Sequence, residues 1–137
     1  MISPRQIQLI RETFPLVQEV AGPLALLFYG RLFERDPSLR AMFRGDIRAQ
    51  GDKLMAMIGS VVDSVEHWDS LAPVLRAMGE RHQQYGVEDH HYELVEQAFT
   101  WALGQALGNA ADAEVKAAWR GVVVQVGEAM GGKKGNC

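Results

Sequence analysis

The chain has 137 residues, 47% of them apolar, and a formal net charge of -3. That length builds one domain with a real hydrophobic core, and that apolar fraction excludes disorder over the whole chain. The sequence pI of about 5.8 and the lack of a Lys/Arg block argue against a nucleic-acid partner, and the short, charge-broken apolar runs exclude a bilayer-spanning segment.

The periodicity is helical almost throughout, and no strand or hairpin signal stands out. Ser3-Pro4 reads as an N-cap with proline at the first helical position. Ile7, Ile10, Phe14 and Val17 follow as an apolar stripe. Gly22-Pro23 breaks this helix and opens a second, carrying Leu26, Phe28, Tyr29, Leu32 and Phe33. Asp36-Pro37 starts a short third helix ending near Met42-Phe43, before a loop around Gly45.

A fourth helix is expected from about Ile47 to Val65, with Leu54, Met57, Ile58, Val61 and Val65 on one face. The fifth starts near Leu71-Ala72-Pro73 and places Leu71, Val74, Leu75, Met78 and His82 together. It ends by Gly86. Asp89 reads as the N-cap of a long helix through Leu107. Gly108-Asn109 closes that helix, and a last one runs from Ala111 to about Met130. Residues 1–130 read as a single domain, and 131–137 as a disordered tail rich in Gly and Lys.

Four residues attract chemical interest. His82 ends an apolar stripe beside a glycine turn, where a neutral imidazole suits a metal or haem iron; a hydrogen-bonded core histidine is the alternative. Gln50, one turn before Leu54, can donate into a dry pocket or simply face solvent. Tyr29 is a phenol among apolar neighbours that needs a hydrogen-bond partner, a backbone carbonyl being the plain choice. Phe43 by itself reads as core. His90 and His91 are adjacent and point about 100° apart on a helix, so they are not expected to clamp one zinc. Cys137 is the only cysteine, so no intrachain disulfide forms. No GxSxG, P-loop or GxGxxG motif occurs. Without a signal-peptide-like stretch, a cytoplasmic location is the expectation.

Together these residues resemble the globin family, in particular single-domain bacterial haemoglobins and the globin part of flavohaemoglobins. LLFYGRLFERDPSLRAMF (Leu26 to Phe43) is similar to the family's second and third helices. It carries the tyrosine at Tyr29, the Asp-Pro at Asp36-Pro37 and the phenylalanine at Phe43. AQGDKLM (Ala49 to Met55) resembles the distal helix, with Gln50 and Leu54. GERHQQYGVEDHHYELV (Gly79 to Val95) resembles the proximal region, with the iron ligand at His82. The AAW of Ala117 to Trp119 matches the last helix.

The resemblance implies an all-α, three-on-three globin fold around haem b (iron protoporphyrin IX). It implies His82 as iron ligand, Phe43 stacked on the porphyrin, and Met78, Val87 and Leu54 packed against it. Lys53 would pair with a propionate or stay solvated. Tyr29 and Gln50 would donate to bound dioxygen, each contributing roughly 1.5–3 kcal/mol. High oxygen affinity with slow release is therefore expected, dioxygen, CO and NO being the ligands.

Two further readings follow from the same resemblance. One is nitric oxide dioxygenase-type chemistry dependent on a separate reductase. The other is gas sensing through a partner protein. Flavohaemoglobins continue into flavin and nicotinamide domains and this chain does not, so no built-in electron source is expected. Tyr92 matches the family's proximal tyrosine. Its glutamate partner would fall near Lys134, and Glu128 is more than a turn too early, so the proximal brace is expected to be incomplete.

Overall fold

A computed structural model describes residues 2–43 and 45–131. It contains six α-helices: α1 Pro4–Glu19, α2 Ala21–Arg35, α3 Ile47–Asp63, α4 Trp68–Gln84, α5 Asp89–Leu107 and α6 Ala113–Ala129. Short 3-10 helices occupy Pro37–Met42 and Gly108–Ala110. No strand occurs among the described residues, and no helix is long and apolar enough to cross a membrane. The expected tail lies outside the described residues except for Gly131.

Local chemistry sets most helix starts. Ser3 and Gln6 form a reciprocal capping box on α1, each side chain accepting from the other's backbone N–H. Asp36 accepts from Ser38 N at 3.1 Å, Asp46 from Arg48 N at 3.0 Å and Asp112 from Val115 N at 2.9 Å. Each carboxylate satisfies an N–H that the helix cannot pair internally.

Three expected boundaries move. The short third helix is 3-10 rather than α. The N-cap of α5 is Glu88, not Asp89, because the ring of His91 reaches back to accept from Glu88 N at 2.9 Å. Helix α4 begins at Trp68, so Pro73 lies inside it rather than at its start. Proline there has no N–H to give and its ring crowds the Asp69 carbonyl four residues back, but Ser70 N bonding to His67 O at 3.0 Å has already closed the first turn. Leu26 and Val74 are 53% and 55% exposed. Each sits about 100° around its helix from a neighbour that is buried, Ala25 and Leu75 respectively.

Helix α2 packs on α5 and α3, α1 on α6, and α5 on α6. The centre holds Trp119, Ile10, Leu24, Leu75 and Leu103, all essentially without solvent contact. Burial of each aliphatic side chain is worth roughly 1.5–3 kcal/mol. Trp119 also needs a partner for its indole N–H. Thr13 supplies it: Nε1 donates to Oγ1 at 2.8 Å, and that hydroxyl donates onward to Leu9 O at 2.7 Å.

Helix α4 packs extensively only on α6, leaving its other sides without extensive contact to α2, α3 or α5. That packing is close. A Cβ at Gly79 would fall on the Met130 carbonyl, far inside van der Waals contact. The crossing of α2 with α3 is also tight, since a Cβ at Gly51 would lie 2.9 Å from Ala25 Cβ.

Candidate functional site

His82 lies in the last turn of α4 and is half-buried. Its Nδ1 donates to the Met78 carbonyl, four residues back, at 2.7 Å. A carbonyl only accepts, so Nδ1 carries the proton and Nε2 keeps a free lone pair. The ring is thereby set in the tautomer a metal ligand needs. The Val87 N–H donates to the His82 carbonyl at 3.0 Å, tying the following turn to the same residue. Gly86, at φ +96°, permits that reversal. Met78 and Val87 are both half-buried beside His82 in sequence.

A second cluster is built on α2 and α3. Tyr29 is 4% exposed, with ring centroids 4.9 Å from Phe28, 6.0 Å from Phe33 and 5.3 Å from Phe43. Its hydroxyl donates to the Gln50 carbonyl oxygen across 3.5 Å. Gln50 thus meets Tyr29 through its main-chain oxygen, and its side chain is near enough to oppose part of the burial effect on the phenol. Burial pushes the Tyr29 phenol up to about 12, so it stays a protonated donor at neutral pH. Phe43, Leu54 and Met57 pack partly buried against the core. Lys53 is exposed.

The structure therefore joins Tyr29, Gln50 and Phe43 in one cluster and Met78, His82 and Val87 around another. Helices α3 and α4, which carry the two, share no extensive contact. Phe33, which sequence reasoning placed in a helix but not in the site, stacks on Tyr29 and lies 5.2 Å from Phe43. Its spacing of four from Tyr29 was the available signal. Two surface clefts of about 410 and 420 Å³ lie elsewhere, beside Gln125 on α6 and beside Glu96 on α5.

Tyr92 on α5 packs against Gly127, where a Cβ would lie 3.3 Å from its ring. Its hydroxyl is buried and has no hydrogen-bond partner among the described residues. Burial first, and Asp89 second, raise its pKa. Glu128 is exposed, and Lys134 and Cys137 lie outside the described residues.

The two adjacent histidines lie closer together than helical spacing alone implies. The rings of His90 and His91 are 4.2 Å apart at their centroids, and with Asp36 they place one candidate ligand atom each within 4.8 Å of one another. Both histidines sit in the first turn of α5, where no preceding helical turn restricts their rotamers. The cap bond to Glu88 also draws the His91 ring back towards His90.

The globin family profile matches residues 26–130. A flavohemoprotein of Xylella fastidiosa (strain Temecula1) is 32% identical over 120 residues, covering 85% of this chain and 30% of that protein. A flavohemoprotein of Bordetella parapertussis is 28% identical over 137 residues, covering 98% of this chain and 34% of that protein. The chain spans about a third of the length of these curated relatives. Among solved structures, the engineered carbene transferase RmaNOD of Rhodothermus marinus superposes with TM-score 0.85 and 25% identity, covering 95% of this chain and 91% of the other. A bacterial globin from Campylobacter jejuni gives TM-score 0.81 and 21% identity, covering 93% of each.

Proposed function

The chain belongs to the globin family, and from that premise we propose that it binds dioxygen tightly at a haem ligated by His82. The fold is the all-α globin fold, and the cofactor is haem. Haem supplies the ferrous iron at which diatomic gases bind.

The residues present fit that group. The observation that carries the reading is the His82 tautomer: Nδ1 is committed to the Met78 carbonyl, and Nε2 is free. Met78 and Val87 adjoin the imidazole, while Phe43 and Leu54 offer apolar surface on the opposite elements. These would hold the porphyrin, with Lys53 at the exposed rim. Tyr29 and Gln50 act as donors towards the bound gas. The phenol is suited to this because it is dry, neutral and bonded to the Gln50 carbonyl only at the long limit of 3.5 Å.

A second reading is favoured by one observation, the likeness to RmaNOD, described as a putative nitric oxide dioxygenase. That activity would combine dioxygen and nitric oxide to nitrate at the haem held by His82, with the electron needed for each turnover supplied by a separate reductase. The residues that serve oxygen binding serve this activity as well.

Optical spectra of purified ferric, reduced and air-equilibrated reduced protein, beside His82→Ala, test the proposal. A high-spin ferrous spectrum that converts to a stable oxygenated form in wild type alone is the expected result. Rapid oxidation of that form, with multiple-turnover nitrate production once a reductase is added, selects the second reading. Absence of a haem band in wild type made with ample haem overturns both.

A further inference from the structure

We propose that Asp36, His90 and His91 form a site for a divalent transition cation, with zinc as its reference ligand, separate from the haem site. The cluster joins two distant elements: Asp36 is the corner between α2 and the 3-10 helix, and the two histidines open α5. Their candidate ligand atoms all lie within 4.8 Å of one another. Tetrahedral zinc with bonds of about 2.0–2.2 Å separates its ligand atoms by roughly 3.4 Å. The atoms must therefore close by up to about 1.4 Å, and the His90 side chain, 60% exposed, is free to rotate that far.

The other two ligands are already placed. The Asp36 and His91 side chains are only 23% and 7% exposed. Asp36 is pinned by the Ser38 N–H at 3.1 Å and the Ser38 hydroxyl at 2.5 Å. Those bonds are the main reason its carboxyl is held below the usual range, which keeps it an anion. His91 Nε2 stands 3.6 Å from Asp36 Oδ2. That is too long for a hydrogen bond, so the pair is gathered without being closed. Two imidazoles and a carboxylate are the donor set that borderline cations of this class prefer.

The proton balance can be followed atom by atom. His91 Nδ1 accepts from the Glu88 N–H, so in the metal-free neutral ring Nε2 carries the proton. Zinc can bind Nε2 only after that proton leaves to solvent and another is taken up at Nδ1, so the ring stays neutral. The Glu88 N–H then loses its acceptor. Water would complete the coordination.

The test is a zinc titration against a chromophoric chelator, using the haem-loaded ferrous carbonmonoxy protein. A Cys137→Ser background removes thiol binding. One equivalent at micromolar affinity or tighter is expected, with His90→Ala and Asp36→Asn each weakening it by at least about tenfold, or about 1.4 kcal/mol. His67→Ala removes another exposed histidine and leaves the affinity unchanged. Because His90 is exposed and caps nothing, His90→Ala decides the matter even if Asp36→Asn disturbs the fold. Failure of the parent to compete for zinc at tens of micromolar, or unaltered affinity in His90→Ala, overturns the site. Neither outcome depends on the identity of the gas bound at the haem.

Discussion

The Tyr29 hydroxyl meets the Gln50 carbonyl oxygen at 3.5 Å, the outer limit of a hydrogen bond. Such a bond satisfies a buried phenol while holding it loosely. A bound gas carrying partial negative charge is a better acceptor than a neutral carbonyl. Tyr29→Phe is therefore expected to raise the oxygen dissociation rate by roughly ten- to a hundredfold, from a charge-assisted contribution of about 1.5–3 kcal/mol. Stopped-flow displacement of oxygen by carbon monoxide reads it. A rate equal to wild type would assign the hydroxyl to the Gln50 carbonyl alone.

The same phenol predicts a pH dependence. Burial raises its pKa from 10.0 to about 12, so the folded state retains a proton that the unfolded chain releases first. The associated stability is complete below pH 10 and declines as pH rises towards 12. Its full size is roughly 2–3 kcal/mol. Urea unfolding of the carbonmonoxy protein at a series of pH values should show a shallower alkaline decline for Tyr29→Phe. Parallel curves for the two proteins would mean that Tyr29 titrates equally in both states.

What sequence made legible follows a physical pattern. The cap written in Ser3 before Pro4 was readable because adjacent residues decide it. The start of α4 was not, because Pro73 is a strong local signal and the turn that overrides it is backbone-only. The residues proposed to face the haem, His82, Tyr29, Gln50 and Phe43, were singled out through their order and spacing in a family resemblance. Their individual chemistry left each open to a plain core role. The His82 tautomer, the loose Tyr29 bond and the gathering of Asp36 with His90 and His91 depend on rotamers and on contacts between distant elements. Periodicity carries no information about either.

The buried pair of Thr13 and Trp119 gives a prediction about the core alone. Thr13→Val preserves shape but leaves Trp119 Nε1 without the acceptor now 2.8 Å away. An orphaned buried N–H costs about 1–3 kcal/mol. The melting temperature should fall by several degrees, whereas Thr13→Ser keeps the hydroxyl and loses less. Equal melting of the Val and Ser variants would show that the hydrogen bond contributes no net stability.

Gly79 connects packing to function more directly. A Cβ there would collide with the Met130 carbonyl, a backbone group that no side-chain rotation can clear. Gly79→Ala must therefore push α4 away from α6, the one helix on which α4 packs extensively. Overpacking of this kind costs at least about 1–3 kcal/mol. The displaced helix carries Met78 and His82 on either side of the substitution, so faster haem transfer to an acceptor apoprotein is expected along with the lower stability. Gly127→Ala is the control, since its Cβ would meet only the Tyr92 ring at 3.3 Å, and a side chain shifts at smaller cost than a carbonyl. If Gly79→Ala retained haem as long as Gly127→Ala, the position of α4 would not depend on its contact with α6, and His82 would have to be held by the turn through Val87 instead.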